Sequence, residues 1–225
     1  LHAPIKLVEK GKVIETTPGR VLLNSILPED FPFVNEVIDK KGISKLVSKV
    51  YEKYGVERTA QFLDDLKDLG FKMATKAAVS IGIEDLKVPK VKGEILKEGF
   101  EKTDEITELH RRGLITAKER YNNIIDVWSD ITDRVSRAMF EEIEKTPRQE
   151  RDKVYPGTFN PIYMMANSGA RGNRDQIRQL AAMRGLMAKH TGEFIETPIT
   201  SNFREGLSVL EYFISTYGAR KGLAD

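Results

Sequence analysis

The sequence predicts a mainly α-helical protein: an irregular multi-helix assembly with a small N-terminal β-hairpin, a protruding antiparallel coiled-coil hairpin and a long C-terminal helix. Three observations predict it. Tyr121, Ile124, Trp128, Ile131, Val135 and Ala138 alternate steps of 3 and 4 residues, the seam of an α-helical coiled coil. Just upstream, "RRGLIT" places Gly113 as a helix terminator and Thr116 as an N-cap, with Glu119 completing a capping box, so one helix ends and another begins within a few residues. Only near the start, in "IKLVEKGKVIETTPGR", does the apolar pattern alternate with period two, and Lys10-Gly11 supplies a turn between two short runs.

From "TPGRVLLNSIL" onward the period becomes helical, and Pro18 suits a first helical turn, where its missing N–H has no intrahelical partner in any case. "FPFVNEVIDKKG" reads as a loop. Ile43, Leu46, Val47, Val50 and Tyr54 then repeat at helical spacing until Gly55, and Phe62, Leu66, Leu69 and Met73 line one side of a further helix that contains Gly70. Over 89–143, a looser seam through Leu96, Gly99, Thr103 and Ile106 pairs with the one after the turn. Arms of about 20 to 25 residues would carry the tip about 30 Å from the base. A projection of that size suits contact with a partner; an ordinary pair of core helices is the alternative.

"EKTPRQERDKVYPGTFNP" is a charged, proline-marked connector. The next helix begins near Asn173, which can cap with Gln176, and Asp175 falls in its first turn. Arg174 and Arg178 share a face and are expected to look outward, opposite Ile177, Leu180, Met183 and Met187. "EFIETPI" is strand-like. From "TSNFREGLSVL" to the end the pattern is that of one long helix, in which Gly206, Gly218 and Gly222 each cost about 0.5 to 1 kcal/mol relative to alanine. Leu207, Leu210, Tyr212, Phe213 and Ile214 leave little of it polar, so neighbours should bury it. The divisions are therefore 1–88, 89–143, 144–199 and 200–225.

Composition narrows the chemistry. Lysine and arginine number 36 against 34 acidic residues, a formal charge of +2, so no global field draws the chain to nucleic acid or membrane. With no cysteine there is no disulfide or thiol chemistry, and His2, His110 and His190 are too far apart in sequence for a helix-borne zinc pair, so no metal site is expected. No apolar run reaches the roughly 18 residues of a membrane span and no signal peptide is evident, which points to the cytoplasm and no membrane partner. The chain starts without methionine and stops within a helical pattern, as a piece of a longer polypeptide would.

No phosphate-binding GxxxxGK[ST] loop, GxSxG turn or alternating aspartate cluster occurs, and no residue is assigned as catalytic. What remains is "NSGARGNRDQIRQLAAMRGLMAK", where Arg171, Arg174, Arg178, Arg184 and Lys189 are accompanied by one acid, Asp175. Guanidinium groups at a helix start beside a glycine-rich turn suit phosphate oxygens. Inter-domain salt bridges would use the same residues.

Four stretches, "GFKMATKAAVSIGIEDLKVP", "ERYNNIIDVWSDITDRVSRAM", "NPIYMMANSGARGNRDQIRQLAAMRGLMAK" and "GEFIETPITSNFREGLSVLEYFISTYGARKGLAD", resemble, in this order, the largest (β′) subunit family of bacterial RNA polymerases. The resemblance implies that 1–88 lines the secondary-channel funnel, that 89–143 forms the rim helices at the channel mouth and that 200–225 begins the bridge helix. It further implies NTP phosphates as partners of Arg171 and Arg178. The bridge-helix residues Gly218, Arg220, Lys221, Gly222 and Asp225 would serve translocation. Leu114, Ile115, Asn122, Asn123 and Asp126 would receive Gre-type or DksA-like regulators, Asn122 and Asp126 matching alarmone-binding positions, and Asn123 replacing the family's lysine. Other partners implied are the β, α, ω and σ subunits, template DNA and RNA, with Mg²⁺ held elsewhere in the complete enzyme and no cofactor in this segment. A rival reading is a stand-alone helical interaction module whose coiled-coil tip docks transcription factors without touching substrate.

Overall fold

Lys10 and Gly11 adopt positive φ angles of 48° and 80°, the geometry a two-residue type I′ turn demands, and fold β1 (Ile5–Glu9) back onto β2 (Lys12–Thr16) with Val8 opposite Val13. The structure is a computed structural model that describes residues 3–145, 160–189 and 191–224. These fall into two compact units, one within 1–81 and 147–171, the other within 82–146 and 172–225.

In the first unit, α1 (Pro18–Asn24) is capped by Thr17, whose Oγ1 accepts from the Arg20 N–H. Asn24 then organises the following loop: its Nδ2 donates to the Val34 carbonyl at 2.9 Å and its Oδ1 accepts from the Val34 N–H at 2.8 Å. The Asp39 carboxylate caps α2 (Lys40–Ala77) by accepting from Gly42 N–H at 2.6 Å. Gly55 sits at φ 75°, ψ −174° inside α2, so the run is two helical segments meeting at a break, as the sequence expects. Leu46 and Val50 before the break and Phe62 after it close one core with Leu27. Leu66, Leu69 and Met73 continue that side half-buried, and Gly70 remains helical. Asn160 caps α5, the fifth helix in our numbering (Pro161–Ser168), which Gly169 ends at φ 75°.

The second unit is built on α3 (Lys92–Arg111) and α4 (Ala117–Lys145). α3 ends in a Schellman motif: Gly113 N–H donates to His110 and Leu114 N–H to Leu109. α4 opens on the expected box, with Glu119 N–H donating to Thr116 Oγ1 and Thr116 N–H to Glu119 Oε2. Ile124, Trp128, Ile131 and Val135 are buried along the seam. Gly99 faces them so closely that a Cβ there would stand 3.1 Å from both Trp128 and Ile131. Beyond Val135 the buried face shifts from Ala138 to Met139, Phe140 and Ile143, because α4 there also packs against α6 (Arg174–Ala181), whose Arg174 lies 4.3 Å over the Phe140 ring.

Three expectations change. The arginine-bearing helix stops at Ala181, so Met183 and Met187 are not on it; residues 185–199 form an arch joined by the isolated pairings Gly185–Ile199 and Ala188–Phe194, with no strand in "EFIETPI". The final helix, α7 (Val209–Ala224), starts only after a turn over 202–206, so Gly206, at φ 86°, carries no helix-interior cost. Buried Asn202 ties this turn to the end of α6 by donating to the Ala181 and Ala182 carbonyls, each at 3.1 Å. Leu210 and Phe213 are 76% and 61% exposed, so no described part of the chain covers that face of α7. Most of the charged connector lies outside the described residues.

Candidate functional site

Of the two arginines singled out, Arg171 ends the first unit and Arg178 lies in the second. Arg171 is exposed, its N–H donating to Met165 O at the end of α5. α6 starts as predicted, Asn173 Oδ1 accepting from Gln176 N–H and Gln176 Oε1 from Asn173 N–H. Arg178 does not look outward as expected: its side chain is only 17% exposed. Because α6 ends one turn later, the chain folds back and presents the Met183 and Arg184 carbonyls to its Nη1 at 3.1 and 2.7 Å, while Nε lies 3.5 Å from Asp175. None of these contacts uses Nη2. The guanidinium lines a cleft of about 190 Å³ together with Ser129, Thr132, Asp133, Asp175 and Arg184.

Sequence reasoning missed the residues that hold this corner. Gly185, at φ 81°, has no room for a side chain: a Cβ would lie 3.0 Å from Thr132 Oγ1 and 3.3 Å from Arg178 Nη1. Arg184 donates to Gln179 Oε1 at 3.2 Å and to Ser215 Oγ on α7, and it lies 4.9 Å from the Phe203 ring. Burial, then the neighbouring Arg178 charge, lowers its pKa. The start of α7 is set by Glu211, which accepts from the N–H groups of Ser201 and Ser208 at 3.0 and 2.9 Å and from the Ser201 hydroxyl at 2.8 Å. Burial alone would raise the Glu211 carboxyl, but these bonds outweigh it and hold the pKa at about 2. Here a signal was present: "SVLE" is a capping box, and Glu211 N–H returns a bond to Ser208 Oγ at 3.3 Å.

At the hairpin tip, Leu114 is 67% exposed, whereas Ile115 is half-buried and its carbonyl lies 3.1 Å from His110 Nδ1. Asn122, Asn123 and Asp126 are exposed on α4, Asn122 and Asp126 one turn apart. Their neighbours Arg120 and Tyr121 grip the arch instead: Arg120 pairs with Glu196 at 2.7 Å, and the Tyr121 hydroxyl accepts from Phe194 N–H at 2.9 Å. The two helices are clamped across the seam by Arg134, bidentate to Glu98 at 2.9 and 2.6 Å, and the hydrogen bonds from Arg134, then Lys102, hold the Glu98 carboxyl at about pKa 2. Gly218, Arg220, Lys221 and Gly222 all belong to α7; Asp225 lies outside the described residues. Among the described residues no cluster of three acidic or histidine side chains could hold a metal, and no helix is long and apolar enough to cross a membrane.

Two family models match the chain: RNA polymerase Rpb1, domain 3, over residues 1–86, and RNA polymerase Rpb1, domain 4, over 115–204, the second spanning α4, the arginine-lined cleft and the arch. These define the class, the Rpb1-type large subunit of RNA polymerase. The whole chain is 68% identical to DNA-directed RNA polymerase subunit beta′ of Aquifex aeolicus (strain VF5), 63% to that of Hydrogenobaculum sp. (strain Y04AAS1) and 50% to that of Chlamydia abortus (strain DSM 27085 / S26/3). The chain belongs to the β′ subunit family of bacterial DNA-directed RNA polymerase. It spans 14% of the length of the first two of these relatives and 16% of the third.

Proposed function

We propose that this chain acts within the multisubunit polymerase as the wall of the NTP-entry channel, with Arg171 and Arg178 facing substrate triphosphate. The chemistry is that of a nucleotidyltransferase: the RNA 3′ hydroxyl attacks the α-phosphate of an NTP and pyrophosphate leaves. No acidic or histidine cluster among the described residues fits a metal, so the residues that would hold the Mg²⁺ of this reaction belong elsewhere in the complete enzyme. The chain's own contribution is positional. The observation that carries the reading is the Arg178 guanidinium, fixed by two carbonyls yet with no contact to Nη2 among the described residues and beside an open cleft, in a chain that matches β′ from end to end.

In the same reading 1–88 belongs to the funnel, and α3–α4 are the rim, whose tip at Leu114 and Ile115 docks Gre-type or DksA-like factors. Asn122, Asn123 and Asp126 contribute to that face. α7 is the first part of the bridge helix, with Gly218, Arg220, Lys221, Gly222 and Asp225 accompanying translocation. The exposed apolar face of α7 supports assembly with the rest of β′ and with the β, α, ω and σ subunits around template and RNA.

The test is the NTP-concentration dependence of single-nucleotide addition by assembled polymerase carrying Arg178→Ala, Arg178→Lys or Arg171→Ala. A lost hydrogen bond to a charged group is worth about 1.5 to 3 kcal/mol, so apparent NTP affinity should fall about 10-fold or more. Arg171→Ala removes no contact of the Arg178 kind, which separates phosphate binding from collapse of the 183–184 turn. Unchanged kinetics in assembled Arg171 and Arg178 variants would refute the phosphate role.

A further inference from the structure

We propose that Arg184 is a positioning residue that couples α7 to Arg178: its side chain holds Ser215 on α7, and its own carbonyl fixes the Arg178 guanidinium. This coupling rests on the phosphate role proposed for Arg178 and supplies what sets that side chain in place.

Arg184 is engaged through both its backbone and its side chain. Arg178 Nη1 donates to the Arg184 carbonyl at 2.7 Å, the shorter of its two carbonyl bonds. That carbonyl belongs to the planar peptide group shared with Gly185, whose N–H donates to the Ile199 carbonyl at 2.9 Å, so a bond on the far edge of the plane fixes the direction of the oxygen. In the side chain, Nε donates to Gln179 Oε1 at 3.2 Å, Nη1 donates to Ser215 Oγ, and the guanidinium stands 4.9 Å from the Phe203 ring. Gln179 and Phe203 are themselves joined, Phe203 N–H donating to the Gln179 carbonyl at 3.1 Å.

A second route to α7 runs beside the first. Arg184 N–H donates to the Ser201 carbonyl at 3.2 Å, and Ser201 N–H donates to Glu211 at 3.0 Å. Glu211 and Ser215 are about one turn apart on α7 and so lie on the same side of that helix. A shift of the first turns of α7 therefore acts on Arg184 at its side chain and at its N–H, and moves the oxygen that orients Arg178. Small displacements of a group that orients substrate are costly, so such a shift should be felt in NTP binding. Arg184 lines the same cleft as Arg178, so replacing it would remove a charge from the cleft together with the link; Ser215 is not among the lining residues and tests the link alone.

The experiment is the NTP-concentration dependence of single-nucleotide addition by assembled polymerase carrying Ser215→Ala, Ser215→Thr, Arg178→Ala, or Ser215→Ala together with Arg178→Ala. Loss of the Ser215 bond should raise the half-saturating NTP concentration about threefold to tenfold and change the maximal rate by about twofold at most, because it loosens a contact made in both the ground and the transition state. Ser215→Thr keeps a hydroxyl and should stay close to the parent. In the Arg178→Ala background, adding Ser215→Ala should have an effect of about twofold or less, since its route to substrate is already gone. The coupling is overturned, with the Arg178 reading intact, by a Ser215→Ala effect of equal size in both backgrounds, by Ser215→Thr as impaired as Ser215→Ala, or by an unaffected Ser215→Ala enzyme beside a weakened Arg178→Ala enzyme. An unaffected Arg178→Ala enzyme would overturn both.

Discussion

Substituting Gly99 tests how closely the two hairpin helices approach. In an open helix, glycine to alanine gains about 0.5 to 1 kcal/mol because alanine loses less backbone entropy. Gly93, near the start of the same helix with nothing within 4 Å of its virtual Cβ, is the control. At Gly99 the added methyl would meet Trp128 at 3.1 and 3.2 Å and Ile131 at 3.1 Å, all on side chains that are themselves almost fully buried. Overpacking of this kind costs about 1 to 3 kcal/mol, which exceeds the helix gain and leaves Gly99→Ala about 1 kcal/mol less stable. Gly99→Leu should lose several times that. Trp128 is the sole tryptophan and lies in the seam, so its fluorescence during urea unfolding reports on this hairpin. With a urea slope of about 2 kcal/mol/M, the midpoint should fall by about 0.5 M for Gly99→Ala and rise by about 0.3 M for Gly93→Ala. Equal stabilisation by the two alanines would show that the backbones are not in close approach, and the account of the seam would fail.

Glu211 should make the anchoring of α7 acid-labile. Its folded pKa of about 2 lies below the ordinary 4.5, so the stability it contributes is complete above pH 4.5 and is lost as pH falls toward 2. Hydrogen exchange of the Ser201 and Ser208 amides should therefore accelerate across that window in the parent and lose this dependence in Glu211→Gln; exchange independent of pH-linked opening in both would contradict the cap. Glu98 titrates in the same range but is bonded to Arg134 and Lys102, whereas the amides at 201 and 208 donate to Glu211, so these amides distinguish the two. Thr116→Ala should cost the hairpin about 1 kcal/mol by removing the N-cap of α4, read as a lower urea midpoint of Trp128 fluorescence, and an unmoved midpoint would show the box to be ornamental.

Local rules carried the sequence reading where the interacting groups are close along the chain. The Lys10-Gly11 turn, the Thr116–Glu119 and Asn173–Gln176 boxes, the Gly113 terminator and the break at Gly55 each involve groups within a few residues of one another, so backbone sterics and short hydrogen bonds decide them. The seam through Trp128 was legible for the same reason, since periodicity is a property of one helix. Reading failed where the path of the chain beyond a helix end redirected a side chain. Arg178 lies at a position that a helical wheel faces outward, but α6 ends early and the carbonyls of 183–184 turn back to meet it. Gly185 and Ser215 had no pattern to mark them, and the basic stretch marked Arg184 without its partners, because these are brought together only by the arch and by α7.

By itself the sequence determined the helical hairpin with its terminator at Gly113, the N-terminal β-hairpin, the caps at Thr116 and Asn173 and membership of the β′ family, because those follow from periodicity, short-range geometry and four ordered motifs. Only the tertiary structure decided that Gly99 must lack a side chain, that Arg178 is held by carbonyls and not displayed, and that Leu210 and Phe213 on α7 are left exposed among the described residues. Each of these depends on where the folded chain places atoms that no helical or strand pattern brings together, and packing settles that only when the chain has folded.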